Sequence, residues 1–528
     1  MGYWMRRKRD SRIHDRPSQN MAKQDGTKNA SKPALQVIVL GAGGGPQEQN
    51  VTAFLVRSVR SGWTRGSIVA LDAGVHLSAI TRILEETQPA GLGTNVALPH
   101  ILESGPFAGM EIRSASASNN AAHIVRHLID TYLITHPHLD HISGFVINTA
   151  GLPGARPKRI AGLPSTISAF KTHIFNNVIW PNLSDENNGV GLVTYTRLVE
   201  GGSPALGEGD GKGYLEISDD LTVKVFSVSH GHCMERHFHR GSAASSRFGS
   251  VDVSSHPSPR GHQGNTAIPG PSPFLRSSIT GHQPAVQERE SVCVYDSSAY
   301  FIRDGISGRE VLMFGDVEPD SISLSPRNLG VWQEAAPRIA KGNLAAIFIE
   351  CSYDDSQTDD RLYGHLTPRY IIQEMKTLAA EVESVRQTPV KLEPNKKRKR
   401  ELEETGRRTN RAIARSGGDD RPVSPKSTRP QRNSGSAPVP SENGFDTPRI
   451  ATPTAEMSLR DFESSASPPF TSPNPLKGLK VVIIHVKEKL TDGEPPGDTI
   501  LSELLEHEKE AQLGCEFIIS KYGQSLMF

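Results

Sequence analysis

Cysteine is scarce in this chain: four among 528 residues, Cys233, Cys293, Cys351 and Cys515, with no CxxC pair. That spacing excludes a disulfide scaffold and a thiolate metal site, and it suits a reducing compartment. The expected location is cytoplasmic, with the nucleus as a second compartment. Any metal would have to be held by imidazole and carboxylate. Long apolar runs are missing too. No stretch approaches the ~20 residues of a spanning helix, so no membrane partner is expected. The opening MGYWMRRKRD has no apolar stretch behind its basic residues, and Arg6 stands where a myristoylation signal needs Ser or Thr. Neither a secretory leader nor that lipid anchor is expected. Excess charge of one sign is also absent, with 59 Lys+Arg against 58 Asp+Glu. Apolar residues reach only 36%, while glycine (48) and proline (37) are plentiful. Such a balance reads as folded sequence diluted with unstructured sequence.

The texture of the chain locates that dilution. Residues 1–33 are polar and charged and read as a disordered tail. Strand signals begin with LQVIVLG, NVTAFLVRS and GSIVALDAG, separated by turn residues. From 234 to 290 the composition collapses into Ser, Gly, Pro, Arg and His without periodicity, the mark of a disordered insertion. Strands resume with SVCVYD, EVLMFGD and NLAAIFIECSY, stop again over 384–475, and return with LKVVIIHVKE. That last strand is followed by a helical ILSELLEHEKEAQ. The expectation is one large α/β domain interrupted twice, carried by residues 34–233, 291–383 and 476–528. Between Lys391 and Arg432 stand 14 Lys+Arg and 6 Asp+Glu, a local +8 that leaves the rest of the chain at −7. The folded part therefore gives no electrostatic case for nucleic acid. The 384–475 insertion also carries KKRKR at 396–400 and several Ser-Pro and Thr-Pro pairs. An import receptor or a proline-directed kinase are its expected partners.

The chemistry is concentrated in DTYLITHPHLDHISGF, which sets His136, His138, Asp140 and His141 directly after a strand read over Leu128–Thr135. A loop leaving a strand end lies at the rim of a sheet, where α/β folds hold ligands. Imidazole and carboxylate donors converging there suit divalent metals. In HxHxDH the first two imidazoles can share one ion while the Asp–His pair turns toward a second. Further candidates stand at other strand ends: His230 in VKVFSVSHGH, Asp316 in EVLMFGDVEP and His485 in VVIIHVKE.

The order HxHxDH…H…D…H resembles the metallo-β-lactamase superfamily. HPHLDHISGFVINTAG, HIFNNVIWPNLSDENNG, MFGDVEPDSIS and IECSYDDSQTDDRLYGHLTP are similar to its class II cyclic-nucleotide phosphodiesterases. Phe145 and Thr149 depart from that branch's usual residues around the metal loop. The resemblance implies a four-layer αβ/βα sandwich holding two divalent metal ions; the imidazole-rich shell makes Zn2+ the expected species, with Mn2+ or Mg2+ in one site left open. It implies His136, His138 and His230 on one ion, Asp140, His141 and His485 on the other, and Asp316 bridging. His365 in YGHLTP would be catalytic, with Glu350 orienting it and Asp140 shared between the metal and catalytic sets; His365 and His485 are the pair most open to exchange. Asp72 in LDAG would support the metal loop by hydrogen bonding. The implied reaction is hydrolysis of 3′,5′-cyclic nucleotides (cAMP, with cGMP open) to the 5′-monophosphate by a metal-bridged hydroxide, lowering cAMP signalling.

Other readings compete. LQVIVLGAGGGP suggests a dinucleotide-binding loop, but Pro46 takes the place of the third glycine and a strand signal follows instead of a helix, so the glycines read as a turn. A second HxH, His237 and His239, has no strand beside it and reads as solvated. A two-metal tRNA 3′-processing nuclease of the same fold would need a basic groove. A non-catalytic scaffold with partner-binding insertions would not need an intact donor set.

Overall fold

In the computed structural model, residues 32–152, 154–233, 293–388 and 473–528 are described. The tail, the pair His237 and His239, the KKRKR run and nearly all of both insertions lie outside them.

Near-continuous apolar runs decide the architecture, because the central strands β1, β2, β3, β12 and β13 are buried on both faces. Chain order begins with β1 (Leu35–Gly41), β2 (Ala53–Ser58), β3 (Ile68–Ala73), α1 (Leu77–Thr87), a small ribbon of β4 (His100–Ile101) and β5 (Glu111–Ile112), and α2 (Ala117–His123). It continues through β6 (Ile129–Leu133), α3 (Leu139–Thr149), β7 (Lys158–Gly162), α4 (Pro164–Ala169), β8 (Val193–Arg197), β9 (Leu215–Ser218) and β10 (Leu221–Cys233). After the first insertion come β11 (Cys293–Asp304), β12 (Glu310–Phe314), α5 (Asn328–Ala340), β13 (Leu344–Glu350) and α6 (Pro368–Gln387). The last stretch holds β14 (Lys480–Ile484), α7 (Pro496–Ala511), β15 (Glu516–Ile519) and β16 (Ser525–Met527).

These strands form two seven-stranded sheets, ordered β16-β1-β2-β3-β6-β7-β8 and β15-β14-β13-β12-β11-β10-β9. Val37, Val39, Phe54, Val56 and Leu71 of the first sheet meet Tyr300, Met313, Phe348 and Val482 of the second in one core. The alternate residues face outward: Ile38, Leu55 and Ala70 pack under α1 and α3, while Phe301, Leu312, Ile347 and Ile483 pack under α5, α6 and α7. Helix, sheet, sheet, helix is the four-layer αβ/βα arrangement expected from the resemblance. Phe54 and Phe348 meet edge-on across the sheets at 6.1 Å, both fully buried. Truncating either to Ala would cost about 3–5 kcal/mol.

Both insertions leave and return at adjoining points. β10 and β11 pair up to Cys233 opposite Cys293. Beyond the second gap, Arg386 on α6 donates to the Pro475 carbonyl at 2.8 Å, and β13 pairs in parallel with β14. Helix α6 runs to Gln387, past the break at 384 read from composition, because the half-buried Val385 continues the stripe of Leu378 and Val382 onto the core. LKVVIIHVKE is not the final strand either. β15 extends the second sheet, and β16 returns to pair antiparallel with β1, so the two ends of the described chain close the first sheet together.

Candidate metal centre

The site lies along the rim where parallel strands end. β3 and β6 run parallel, and so do β12, β13 and β14, so Asp72, the His136–His141 loop, Asp316, Glu350 and His485 emerge at strand C-terminal ends. β6 hands the chain to α3 through His136-Pro-His138, which sets Asp140 and His141 in the first helical turn. His230 corrects the sequence reading. It sits inside β10 rather than after it, at a bulge where pairing with β11 jumps from Ser229/Asp296 to His232/Val294. The bulge turns the imidazole to the rim without ending the strand.

The sequence-predicted donors converge. One ligand atom from each of His136, His138, His230 and Asp316 fits within 4.8 Å of the others, and the same holds for Asp140, His141, Asp316 and His485. Asp316 belongs to both sets. Its carboxylate oxygens lie 3.2 Å from His141 Nε2 and His485 Nε2, 3.6 Å from His230 Nε2 and 3.7 Å from His136 Nε2. Neighbouring donors about 2.1 Å from a tetrahedral ion would be about 3.4 Å apart, so these gaps suit a metal. Nε2 of His136, His141 and His485, and Oδ1 of Asp316, are buried without a hydrogen-bond partner. Four orphaned polar atoms in one buried spot would be costly without a shared cation. The donor set therefore fits divalent metal.

Each buried ring is fixed from behind through Nδ1, which leaves Nε2 facing Asp316. His141 donates to Asp72 at 2.8 Å and His230 to the Gly364 carbonyl at 2.8 Å; His136 lies 3.0 Å from the Thr135 hydroxyl and His485 2.7 Å from Thr52 Oγ1. Such backing sets tautomer and orientation. Asp72, at the end of β3 with φ +52, also accepts from the Thr135 amide and hydroxyl, which ties the metal loop to the neighbouring strand. Burial holds His136 and His485 well below the ordinary imidazole range and brings His230 down to about 3, so these rings are neutral, as ligation requires. His141 is the exception. Burial opposes its charge, but Asp316 and Asp72 push it well upward.

His365 and His485 separate cleanly. His485 falls among the donors with Asp140, His141 and Asp316, whereas His365 lies outside both four-residue sets and rests on Glu350, Nδ1 to Oε1 at 2.8 Å. A third grouping, His230, Glu350 and His365, reflects that proximity. Glu350 is fully buried and also accepts from the Val317 amide at 2.9 Å and the Ser352 hydroxyl at 2.6 Å. Burial disfavours the His365 cation, yet Glu350 outweighs it and raises the imidazole above its usual range. The GAGGGP segment does form a turn between antiparallel β1 and β2. It also packs on the site: a Cβ on Gly44 would lie 2.6 Å from the His485 ring. Phe145 and Thr149 point away from the donors. Phe145 packs against Tyr132 and Phe170 in the core, and Thr149 bonds back to the Phe145 carbonyl. Sequence reasoning missed Thr52, Thr135 and Gly364. No local signal distinguishes a threonine or a carbonyl that backs a ligand from any other.

A cavity of about 590 Å³ opens over this rim, lined by His138, His230, His365, Tyr295, Glu318 and Tyr363 among others. That size falls within the roughly 300–1,000 Å³ of small-molecule sites. Comparison with known proteins agrees with the geometry. The chain is 29% identical over 345 residues to the 3′,5′-cyclic-nucleotide phosphodiesterase of Schizosaccharomyces pombe, covering 65% of this chain and 75% of that one. It is 24% identical to 3′,5′-cyclic-nucleotide phosphodiesterase 1 of Saccharomyces cerevisiae, covering 65% of this chain and 82% of that one. The crystal structure of unliganded yeast PDE1 superposes with a TM-score of 0.55 at 19% identity, covering 94% of this chain and all of that one. The family model for class-II cAMP phosphodiesterases matches residues 34–393, and the chain belongs to that family.

Proposed function

We infer that this enzyme hydrolyses 3′,5′-cyclic nucleotides, cAMP first, with two zinc ions held by His136, His138 and His230 on one side and Asp140, His141 and His485 on the other. Asp316 is their common ligand. The imidazole-rich donors favour zinc. Bound there, the ions supply Lewis acidity and make water nucleophilic at neutral pH. The protein's own part is positioning and proton transfer. Asp316, buried and held well below the usual carboxylate range by the surrounding imidazoles despite its desolvation, stays ionised as a fixed anion between the two donor sets. His365 spends Nδ1 on Glu350, which leaves Nε2 for the cavity it lines. As the water oxygen bonds to phosphorus and the P–O3′ bond breaks, Nε2 gives its proton to the departing 3′ oxygen, and the product is the 5′-monophosphate. General-acid help of this kind is worth about 10²–10⁴-fold.

The observation that carries this reading is an acid-competent histidine, braced by a buried carboxylate, beside two complete donor sets that do not need it. The electrostatics of the folded part favour a small substrate over a nucleic acid, and the intact donor set disfavours a non-catalytic scaffold. The test is release of 5′-AMP from cAMP, with and without a chelator, by wild type and His365→Ala. The variant should keep its metal and lose turnover, and a nitrophenyl leaving group, which needs no proton, should restore much of the rate. Metal loss in His365→Ala, or slow hydrolysis of both substrates, would sink the assignment.

A further inference from the structure

We propose that Tyr363 and Tyr295 form the nucleobase subsite of this enzyme, a pair of aromatic walls that take the purine ring while the cyclic phosphate lies over the metal cluster. The proposal rests on the cyclic-nucleotide reading above and extends it to how the base is held.

Both tyrosines are placed by one feature, the β10 bulge. Tyr295 on β11 lies opposite the two bulged residues, His230 and Gly231, between the Ser229/Asp296 and His232/Val294 pairs. Its ring centroid is 6.0 Å from that of His138. On the other side, the segment Tyr363–Gly364 runs against the same bulge. A Cβ on Gly364 would come within 2.5 Å of the Gly231 amide, so the two backbones are in direct contact and only glycine fits. Gly364 then bonds His230 through its carbonyl, which locks the segment to the donor cluster. The two aromatic side chains thus leave the backbone on either flank of His230 and line the same cavity as His138 and His365.

Their exposure is the unusual part. Tyr363 is 70% exposed and Tyr295 40%, at a cavity where His230 and His365 are buried and His138 opens to solvent. Tyr363 also holds a left-handed backbone at φ +53, a conformation that costs a non-glycine residue free energy and concentrates at ligand-binding sites. Nothing in the packing of the described residues requires an aromatic there, since most of the ring faces solvent. A purine offers a flat π-face that such a ring can cover, and base–aromatic stacking does not depend on which base is present. Of the carboxylates lining the cavity, Glu318 is buried and already accepts from the Gly231 amide and the Ser323 hydroxyl, and Asp359 is paired with Arg369 at 2.8 Å, which leaves Asp360 facing solvent. The Asp360 carboxylate can accept from an N–H group on a base edge and repels a second phosphate.

The experiment compares the metal-loaded full chain on two substrates, cAMP and a base-free methyl riboside 3′,5′-cyclic phosphate. Wild type should show the lower KM for cAMP. In Tyr363→Ala the KM ratio between the two substrates should shrink about tenfold, with the change in KM rather than kcat, and Tyr363→Phe should restore it. Tyr295→Leu should shrink the same ratio. A ratio unchanged in both Tyr363→Ala and Tyr295→Leu would overturn the subsite. So would an equal rise in KM for both substrates, which would mark the tyrosines as shaping the rim only. Wild type that hydrolyses neither substrate would instead refute the cyclic-nucleotide reading.

Discussion

Replacing Asp72 by asparagine tests whether the cluster depends on the tautomer of its histidines as well as on the number of its donors. The Asp72 carboxylate has no exposure and accepts from the Thr135 amide, the Thr135 hydroxyl and His141 Nδ1, each at 2.8 Å. Asparagine has the same size and tolerates the left-handed backbone at this position. In Asp72→Asn only one amide oxygen remains as acceptor. The Thr135 N–H cannot turn, so it takes that oxygen, and the NH₂ group faces His141. Two donors cannot bond each other. The imidazole therefore shifts its proton from Nδ1 to Nε2, the atom that must be bare to hold a metal. Loss of such a backing bond lowers metal affinity about 10–100-fold, or about 1.4–2.8 kcal/mol. Metal-free protein should lose about 1.5–3 kcal/mol as well, the worth of a hydrogen bond to a charged group. Asp72→Ala should be worse, because it strands two buried N–H donors at about 1–3 kcal/mol each and puts alanine at positive φ. Competition with a chromogenic chelator gives the affinity, and urea unfolding of the chelated protein gives the stability. Wild-type metal affinity in Asp72→Asn would refute the tautomer argument.

Three further outcomes are expected. Asp316→Ala should deplete both metals and His230→Ala mainly one, read by elemental analysis of purified protein; equal depletion in the two would dissolve the idea of a shared ligand. His76, buried against Tyr132, is held neutral by desolvation with its pKa brought down to about 3. The unfolded chain binds that proton below about 6.5 and the folded one does not, so stability falls as pH drops through this window. Between pH 7 and 5 the loss should be about 2 kcal/mol larger for wild type than for His76→Gln, measured by denaturant unfolding; identical pH slopes would remove His76 from the account. Replacing 389–472 with a short Gly/Ser linker should leave kcat/KM near wild type, because Arg386 and Pro475 already lie within hydrogen-bond reach across the gap. We propose that the same replacement lowers the nuclear share of the protein, which fluorescence microscopy would show; folded, metal-loaded protein without activity would mean that the insertion serves the chemistry.

The candidate donors that converge at the rim were legible from the sequence because donor type and strand-end position are both local. HxHxDH after an apolar run, Asp316 after EVLMFG and His485 after VVII each combine a periodicity with a donor. The same periodicity reads as one large α/β domain interrupted twice; the four-layer sandwich came from the resemblance, and strands apolar on both faces agree with it because they must be covered on both faces. Tertiary structure decided the pairings. That β16 closes on β1, that Thr52 backs His485 and that Gly364 backs His230 all depend on register between segments hundreds of residues apart or on opposite sides of an insertion, and no local pattern encodes register. His230 was misplaced for a related reason: a bulge keeps the strand pattern running while turning one side chain to the rim, so sequence shows a strand end where there is none. The division between His365 and His485 likewise needed three dimensions. Both are histidines near a strand end, and only the layering that brings Glu350 under one and Asp316 under the other gives them different surroundings.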